Sequence, residues 1–197
     1  MAPALVLGSA QPASLVDQNA ADGRGVDVVR RRSGGGAVLV VPDDPLWVDV
    51  WIPVGDPLFV DDVGRAFWWL GDVWSRALAQ IGVLGPRVSH TPAARGQAVA
   101  AVACFGTTGS GEVTADDGRK VVGLAQRRVR HGALFHTAAL GSWAPEALVE
   151  LLALEPGARA RLADRLAPAA VGVVDLLGGD RPEQLGRLAD AFLDALP

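Results

Sequence analysis

The amino-acid sequence predicts an α+β fold, a mixed sheet flanked by helices. Three observations lead there. Short β-rich runs punctuated by glycine and proline fill the chain as far as Leu140. One strongly amphipathic helical stripe interrupts them. Beyond Trp143 the texture changes to short segments rich in alanine and leucine, separated by glycine and proline. Strands first and helices last fit an α+β order better than a regular alternation of the two.

Taken in order, Leu5-Val6-Leu7 reads as a short strand and Ser14 to Ala21 as a turn or short helix. Val26 to Val29 is β-rich and runs into Arg30-Arg31-Arg32. Ala37 to Val41 is an apolar strand stopped by Pro42. From Leu46 to Ile52, Trp47, Asp49 and Trp51 alternate with aliphatic residues, so both faces of that strand carry side chains. A helix is expected from Asp61-Asp62 to about Ile81. Either aspartate could cap it, and acidic groups suit the positive end of the helix dipole. Val63, Phe67, Leu70, Trp74, Ala77, Leu78 and Ile81 form its apolar stripe. Gly82 and Gly85-Pro86 end it. Strands are expected at Ala98–Cys104, Gly111–Thr114, Lys120–Arg128 and Ala133–Leu140, with a turn at Asp116-Asp117-Gly118. Pro145–Leu154, Ala158–Leu166 and Glu183–Leu196 read as helices.

Bulk properties narrow the function. With 197 residues, half apolar and a fifth charged, the chain can bury a core and is not disordered. A formal charge of −4 opposes a nucleic-acid binder held by phosphate contacts. No apolar run approaches the ~18 residues that span a bilayer. Met1 to Gly8 lacks the basic start of a signal peptide. A cytoplasmic chain with neither membrane nor nucleic acid as partner is expected. One cysteine, Cys104, excludes an internal disulfide and a multi-cysteine metal site.

Two polar signals stand out. Of eighteen basic residues only Lys120 is a lysine. A chain that elsewhere uses arginine keeps here a compact point-charge donor on a thin stem, although a surface lysine left by chance gives the same count. Upstream, Ser33-Gly34-Gly35-Gly36-Ala37 follows the three arginines. Consecutive glycines let backbone N–H groups converge on an anion, with arginine charge nearby. A hairpin turn with solvated arginines fits the same residues. No Gly-Lys-Ser/Thr follows, so this is not a Walker loop, and the spacing is wrong for a dinucleotide fingerprint.

Together, Ala4 to Pro12, Arg30-Arg-Arg-Ser-Gly-Gly-Gly-Ala-Val38 and Gly118-Arg-Lys-Val-Val-Gly-Leu-Ala-Gln-Arg127 resemble the lipoate-protein ligase A family. Its members share the biotin/lipoate protein ligase catalytic-domain fold. The resemblance implies a catalytic domain over residues 1–143, with 144–197 a short helical extension packed on it. It implies that Arg31, Ser33, Gly34, Gly35, Gly36 and Ala37 line an acyl-adenylate. Lys120 would reach both phosphate and acyl carbonyl. Gly123 and Ala125 would leave room for the acyl tail, and His136 falls where the family often has a histidine, though a lone histidine also suits a structural role. ATP and Mg2+ would serve as cofactors and lipoate or octanoate as substrate. The acceptor would be a lysine on a lipoyl domain, in a 2-oxoacid dehydrogenase acyltransferase subunit or a glycine-cleavage carrier protein.

The chain departs from that ligase pattern. The Asn-Asp pair usual before the lysine is replaced by Cys104-Phe105-Gly106-Thr107-Thr108-Gly109-Ser110-Gly111-Glu112. Cys104-Phe105 resembles the cysteine-dependent octanoyltransferases of the same superfamily, which hold the acyl group as a thioester and take it from acyl carrier protein without ATP. Cys104 as a small buried apolar residue is the plain alternative. Against the transferase, such enzymes more often place arginine at the third glycine. The chain also starts late relative to the family and ends without the full accessory domain, which a separate accessory subunit would replace. Three readings follow: an adenylate-forming ligase, a transferase using Cys104, and a non-catalytic acyl-binding relative.

Overall fold

In the computed structural model, which describes residues 2–92 and 102–197, the β-rich runs assemble into two sheets. The first is mixed, in the order β2-β1-β3. It comprises β1 (Ala4–Leu7), β2 (Asp27–Arg30) and β3 (Val38–Val40), with β2 parallel and β3 antiparallel to β1. The second is antiparallel, in the order β4-β8-β7-β6-β5. Its strands are β4 (Leu46–Pro53), β5 (Arg87–Val88), β6 (Val113–Thr114), β7 (Lys120–Val129) and β8 (Gly132–Ala139). The helices are α1 (Gln18–Gly23), α2 (Trp68–Gln80), α3 (Pro145–Val149), α4 (Pro156–Leu166), α5 (Val173–Leu177) and α6 (Arg181–Asp194). The α+β expectation holds, with the sheet in two pieces.

Period-two alternation divides the long β7-β8 hairpin into two faces. On β8, Ala133, Phe135 and Ala139 enter the main core with Leu70 and Trp74 of α2 and Leu188 and Phe192 of α6. Trp74 and Phe192 lie 4.3 Å apart between ring centroids. Ala138 instead joins Val38 and Phe105 in a smaller cluster. The register Gly123↔Ala138 and Ala125↔His136 aligns Gly123, Ala125 and His136 with that second face. A third cluster packs Leu5 and Leu7 of β1 against Leu148, Leu162 and Leu166. Among the described residues no helix is long and apolar enough to cross a membrane.

Several elements differ from expectation. Helix α2 begins at Trp68 rather than at Asp61-Asp62. Asp62 does accept the Arg65 N–H at 2.8 Å, but it opens a 3₁₀ turn, Arg65–Phe67, and Val63 is exposed instead of lying on the buried stripe. The Ser110 hydroxyl donates to the Gly64 carbonyl (2.7 Å) and accepts from the Trp68 indole N–H (2.9 Å). This contact with a distant loop replaces the first expected helical turns. The strand expected over Ala98–Cys104 lies mostly outside the described residues. Within them, Ala103 forms one parallel bridge with Ala37, and Cys104–Gly106 is a 3₁₀ turn. The helix expected over Pro145–Leu154 stops at Val149, because the Asp17 N–H donates to Leu151 and the Ala153 N–H to Leu15. Helix α5 was not expected; Asp175 holds its start by accepting the N–H groups of Gly172 and Trp143.

The first and second halves are tied at Asp44, whose buried carboxylate accepts the Gly141 N–H at 2.8 Å and the Ser142 N–H at 3.0 Å. Burial pushes this carboxyl above its ordinary value, and the two amides and Arg181 pull the other way. Replacing Asp44 by alanine leaves two amides without their acceptor. Asp44→Ala should cost about 2–4 kcal/mol in urea unfolding, because charge-assisted bonds are lost and donors stay buried. An unchanged midpoint would contradict this role.

Candidate active site

The glycine loop is braced from within by Arg31. Its guanidinium donates to the Ser33 hydroxyl (3.1 Å) and to the carbonyls of Gly34 (2.7 Å), Gly36 (2.8 Å) and Val6 (3.2 Å). Arg31 and Ser33 are buried, whereas Arg32, Gly34 and Gly35 are exposed. Arg30 donates to the carbonyls of Gly8 and Gln11. The side chain expected to meet an adenylate is thus committed to the loop's own backbone, and its charge is felt rather than offered as a donor.

The loop also grips Cys104. The Ala37 N–H donates to Val102 (2.8 Å), and the Cys104 N–H donates back to Ala37 (3.0 Å). Gly36 must be glycine for this contact. A Cβ there would stand 2.4 Å from the Ala103 carbonyl carbon and 2.6 Å from the Cys104 nitrogen. From the opposite side, a Cβ at Gly123 would come within 3.3 Å of Lys120 Cε and of Phe105 Cζ, and 3.4 Å of Cys104 Sγ. The half-buried sulfur therefore sits between the glycine loop and the floor of β7. Burial pushes the Arg31 guanidinium below its ordinary value, and negative charge on Cys104 opposes that push.

Lys120, only 1 % exposed, begins β7. Its ammonium donates to the carbonyls of Cys104 (2.7 Å) and Thr107 (3.0 Å) and pairs with Glu112 Oε1 at 2.6 Å. It also lies 5.1 Å from the centre of the Phe105 ring. Three N–H donors meet three acceptors, and no proton is left over. Glu112 is the residue that sequence reasoning missed. It is buried and also accepts the N–H groups of Gly109 (2.6 Å) and Leu124 (3.1 Å). Its one visible signal is that it is the sole carboxylate between the cysteine and the strand at Val113.

Gly35, Gly36, Phe67, Cys104, Glu112 and Lys120 line one cavity of about 320 Å³. A second cleft, about 10 Å³, lies among Val38, Trp47, Cys104, Gly123, Ala125 and His136. With Arg31, which also lines it, the cleft brings five of the expected site residues together, but it is nearly filled as it stands. His136 Nδ1 lies 2.6 Å from Asp49 Oδ1, which also accepts the Trp47 indole N–H at 2.8 Å. Among the described residues no three His, Cys, Asp or Glu side chains converge as metal ligands. Mg2+ would find a single carboxylate in the main cavity, and Glu112 is already taken by three donors. The residues do not fit that ion.

The glycine loop and the buried Lys120 at the start of the inner strand β7 thus converge on one cavity around Cys104. The family described as the lipoyl protein ligase A/B catalytic domain matches residues 1–195. The chain belongs to this family and is an enzyme of it. It is 32% identical over 202 residues to the octanoyltransferase LipM of Kyrpidia tusciae, covering 98% of this chain and 72% of that one. Its fold is similar to a bipartite lipoate protein ligase from Thermoplasma acidophilum, solved with its E2 lipoyl domain: TM-score 0.72, 20% identity, covering 98% of this chain and 68% of the other. It is similar also to a lipoate-protein ligase A bound with ATP: TM-score 0.67, 19% identity, covering 98% and 69%.

The glycines of the loop should differ in tolerance. Gly36→Ala is expected to destabilise by about 1–3 kcal/mol through forced displacement of the cysteine segment. Gly34→Ala, where a Cβ meets nothing within 4 Å, should stay within about 0.5 kcal/mol of the parent. Denaturant unfolding of both variants checks the contrast.

Proposed function

We propose that the chain is a cysteine-dependent acyltransferase, moving an octanoyl group from a carrier thioester to a lysine of a lipoyl domain without ATP. The observation that carries this reading is the seat of Cys104 Sγ, between the glycine loop and Gly123 and beside the Lys120 stem. The likeness to an octanoyltransferase supports the same choice.

Two half-reactions follow from the chemistry. The Cys104 thiolate attacks the acyl carbonyl of the donor, a new C–S bond forms and the donor's C–S bond breaks. The donor thiol leaves and takes a proton. A neutral lysine amine of the acceptor then attacks the Cys104 thioester. Its C–N bond forms, the C–S bond to Cys104 breaks, and the amine's proton returns the sulfur to the thiol. Each attack builds negative charge on the carbonyl oxygen, and a donor aimed at such an oxygen is typically worth about 3–4 kcal/mol. Lys120 would supply one by exchanging its longer bond, to the Thr107 carbonyl, for the oxyanion. Gly123 and Ala125 would floor the aliphatic tail once the side chains over the cleft move aside, and His136 would stand at its far end. Acyl carrier protein is the expected donor, and a 2-oxoacid dehydrogenase acyltransferase subunit or a glycine-cleavage carrier protein the expected acceptor.

The ligase reading keeps support from the glycine loop and from the fold shared with an ATP-bound ligase. Two arrangements weigh against it. Arg31 is spent on backbone carbonyls, and the charge of Lys120 is offset by Glu112. A cavity so neutralised offers little to a triphosphate.

The test uses octanoyl-carrier protein and an apo lipoyl domain. Acceptor modification should proceed without ATP and fall more than about a thousandfold in Cys104→Ser. Modification that requires ATP and octanoate, and that survives Cys104→Ser, would contradict the proposal in favour of the ligase.

A further inference from the structure

We infer that Glu112 is a positioning residue for the acyl transfer: its carboxylate holds Lys120 as an ammonium and fixes where that ammonium points. The inference rests on the transferase reading for its kinetic consequence and on geometry for its substance.

A glutamate at 6 % exposure with only an ion pair to hold it would be costly to bury. Glu112 instead accepts on both of its oxygens. Oε1 takes the Lys120 ammonium and the Leu124 amide, and Oε2 takes the Gly109 amide. The two amides come from opposite sides, one from the loop after the cysteine turn and one from the middle of β7. The carboxylate is thereby held by main chain independently of Lys120, and so acts as an anchor for it. With Nζ pinned at 2.6 Å, the other two N–H groups are turned onto the Cys104 and Thr107 carbonyls, which are the two ends of the nucleophile's turn. The position of the sulfur relative to the cation is therefore set by a residue that needs no contact with the acyl group.

Charge leads to the same place. Glu112 is the charged partner of Lys120 Nζ, whose other two bonds go to the neutral backbone carbonyls of Cys104 and Thr107. Without that carboxylate, a cation buried to 1 % exposure has only neutral carbonyls and sheds its proton more readily. A neutral amine is a much poorer donor to an oxyanion.

The chain has one lysine, so isotope-labelled lysine gives a single side-chain Cε signal whose NMR shift reports its charge without any assay. In Glu112→Gln, that signal should move toward the free-amine position at a lower pH than in the native chain. ATP-independent turnover should drop about tenfold to a hundredfold with acceptor KM changed less than about twofold. Glu112→Asp keeps the charge on a shorter arm; both effects should have the same sign and be smaller, and this variant serves where the glutamine variant does not fold. Native-like titration together with turnover within about twofold of the parent, in whichever variant folds, would overturn the assignment. A native chain unable to transfer would overturn the transferase reading alone, because the Cε titration decides for Glu112 either way.

Discussion

One buried ion pair organises this molecule. Lys120 and Glu112 lie 2.6 Å apart with almost no access to water, at the point where the cysteine turn, the loop at Gly109 and strand β7 meet. Such a pair stabilises only when every lone pair and proton of both partners is used, since desolvation otherwise cancels the attraction. Here all three ammonium protons are used and both carboxylate oxygens accept, and apart from the pair itself the partners are backbone groups of the surrounding segments. The pair therefore works as a clamp on main chain. It holds in place a turn of three residues that has few regular sheet bonds of its own.

Around that clamp, the two sheets divide the labour. The three-stranded sheet carries the glycine loop, whose carbonyls are collected by Arg31 and whose far end grips Cys104 through Ala37. The five-stranded sheet supplies the lysine and a floor of small residues. Cys104 therefore lies where the two sheets meet, its backbone N–H bonded to Ala37 and its carbonyl to the Lys120 ammonium, which is where the proposed nucleophile must stand.

Much of this arrangement was legible in the sequence, where the deciding patterns are local. The lone lysine, the glycine triad and the period-two alternation of β7 and β8 each mark their own positions, so the strands Lys120–Val129 and Gly132–Ala139 fall close to where they were expected. Of the three arginines, Arg31 was singled out only through the family resemblance, and it is the one that turns inward, but that it braces its own loop depends on tertiary contacts with Val6, Gly34 and Gly36. Glu112 was hidden for a similar reason. A bulge between Val113 and Thr114 shifts the β6-β7 register and brings a residue eight positions earlier beneath the lysine. The start of α2 was misplaced because a bond network with Ser110, more than forty residues away, outweighs the capping preference of two aspartates.

The central claim is that acyl transfer passes through the sulfur of Cys104. Its most direct test is the intact mass of the native chain, quenched in acid moments after mixing with an octanoyl thioester and no acceptor. The account expects one octanoyl group per chain, mapped to the Cys104 peptide and released by hydroxylamine as a thioester should be. An unmodified chain under those conditions, accompanied by a tightly held octanoyl adenylate once ATP and octanoate are supplied, would contradict it.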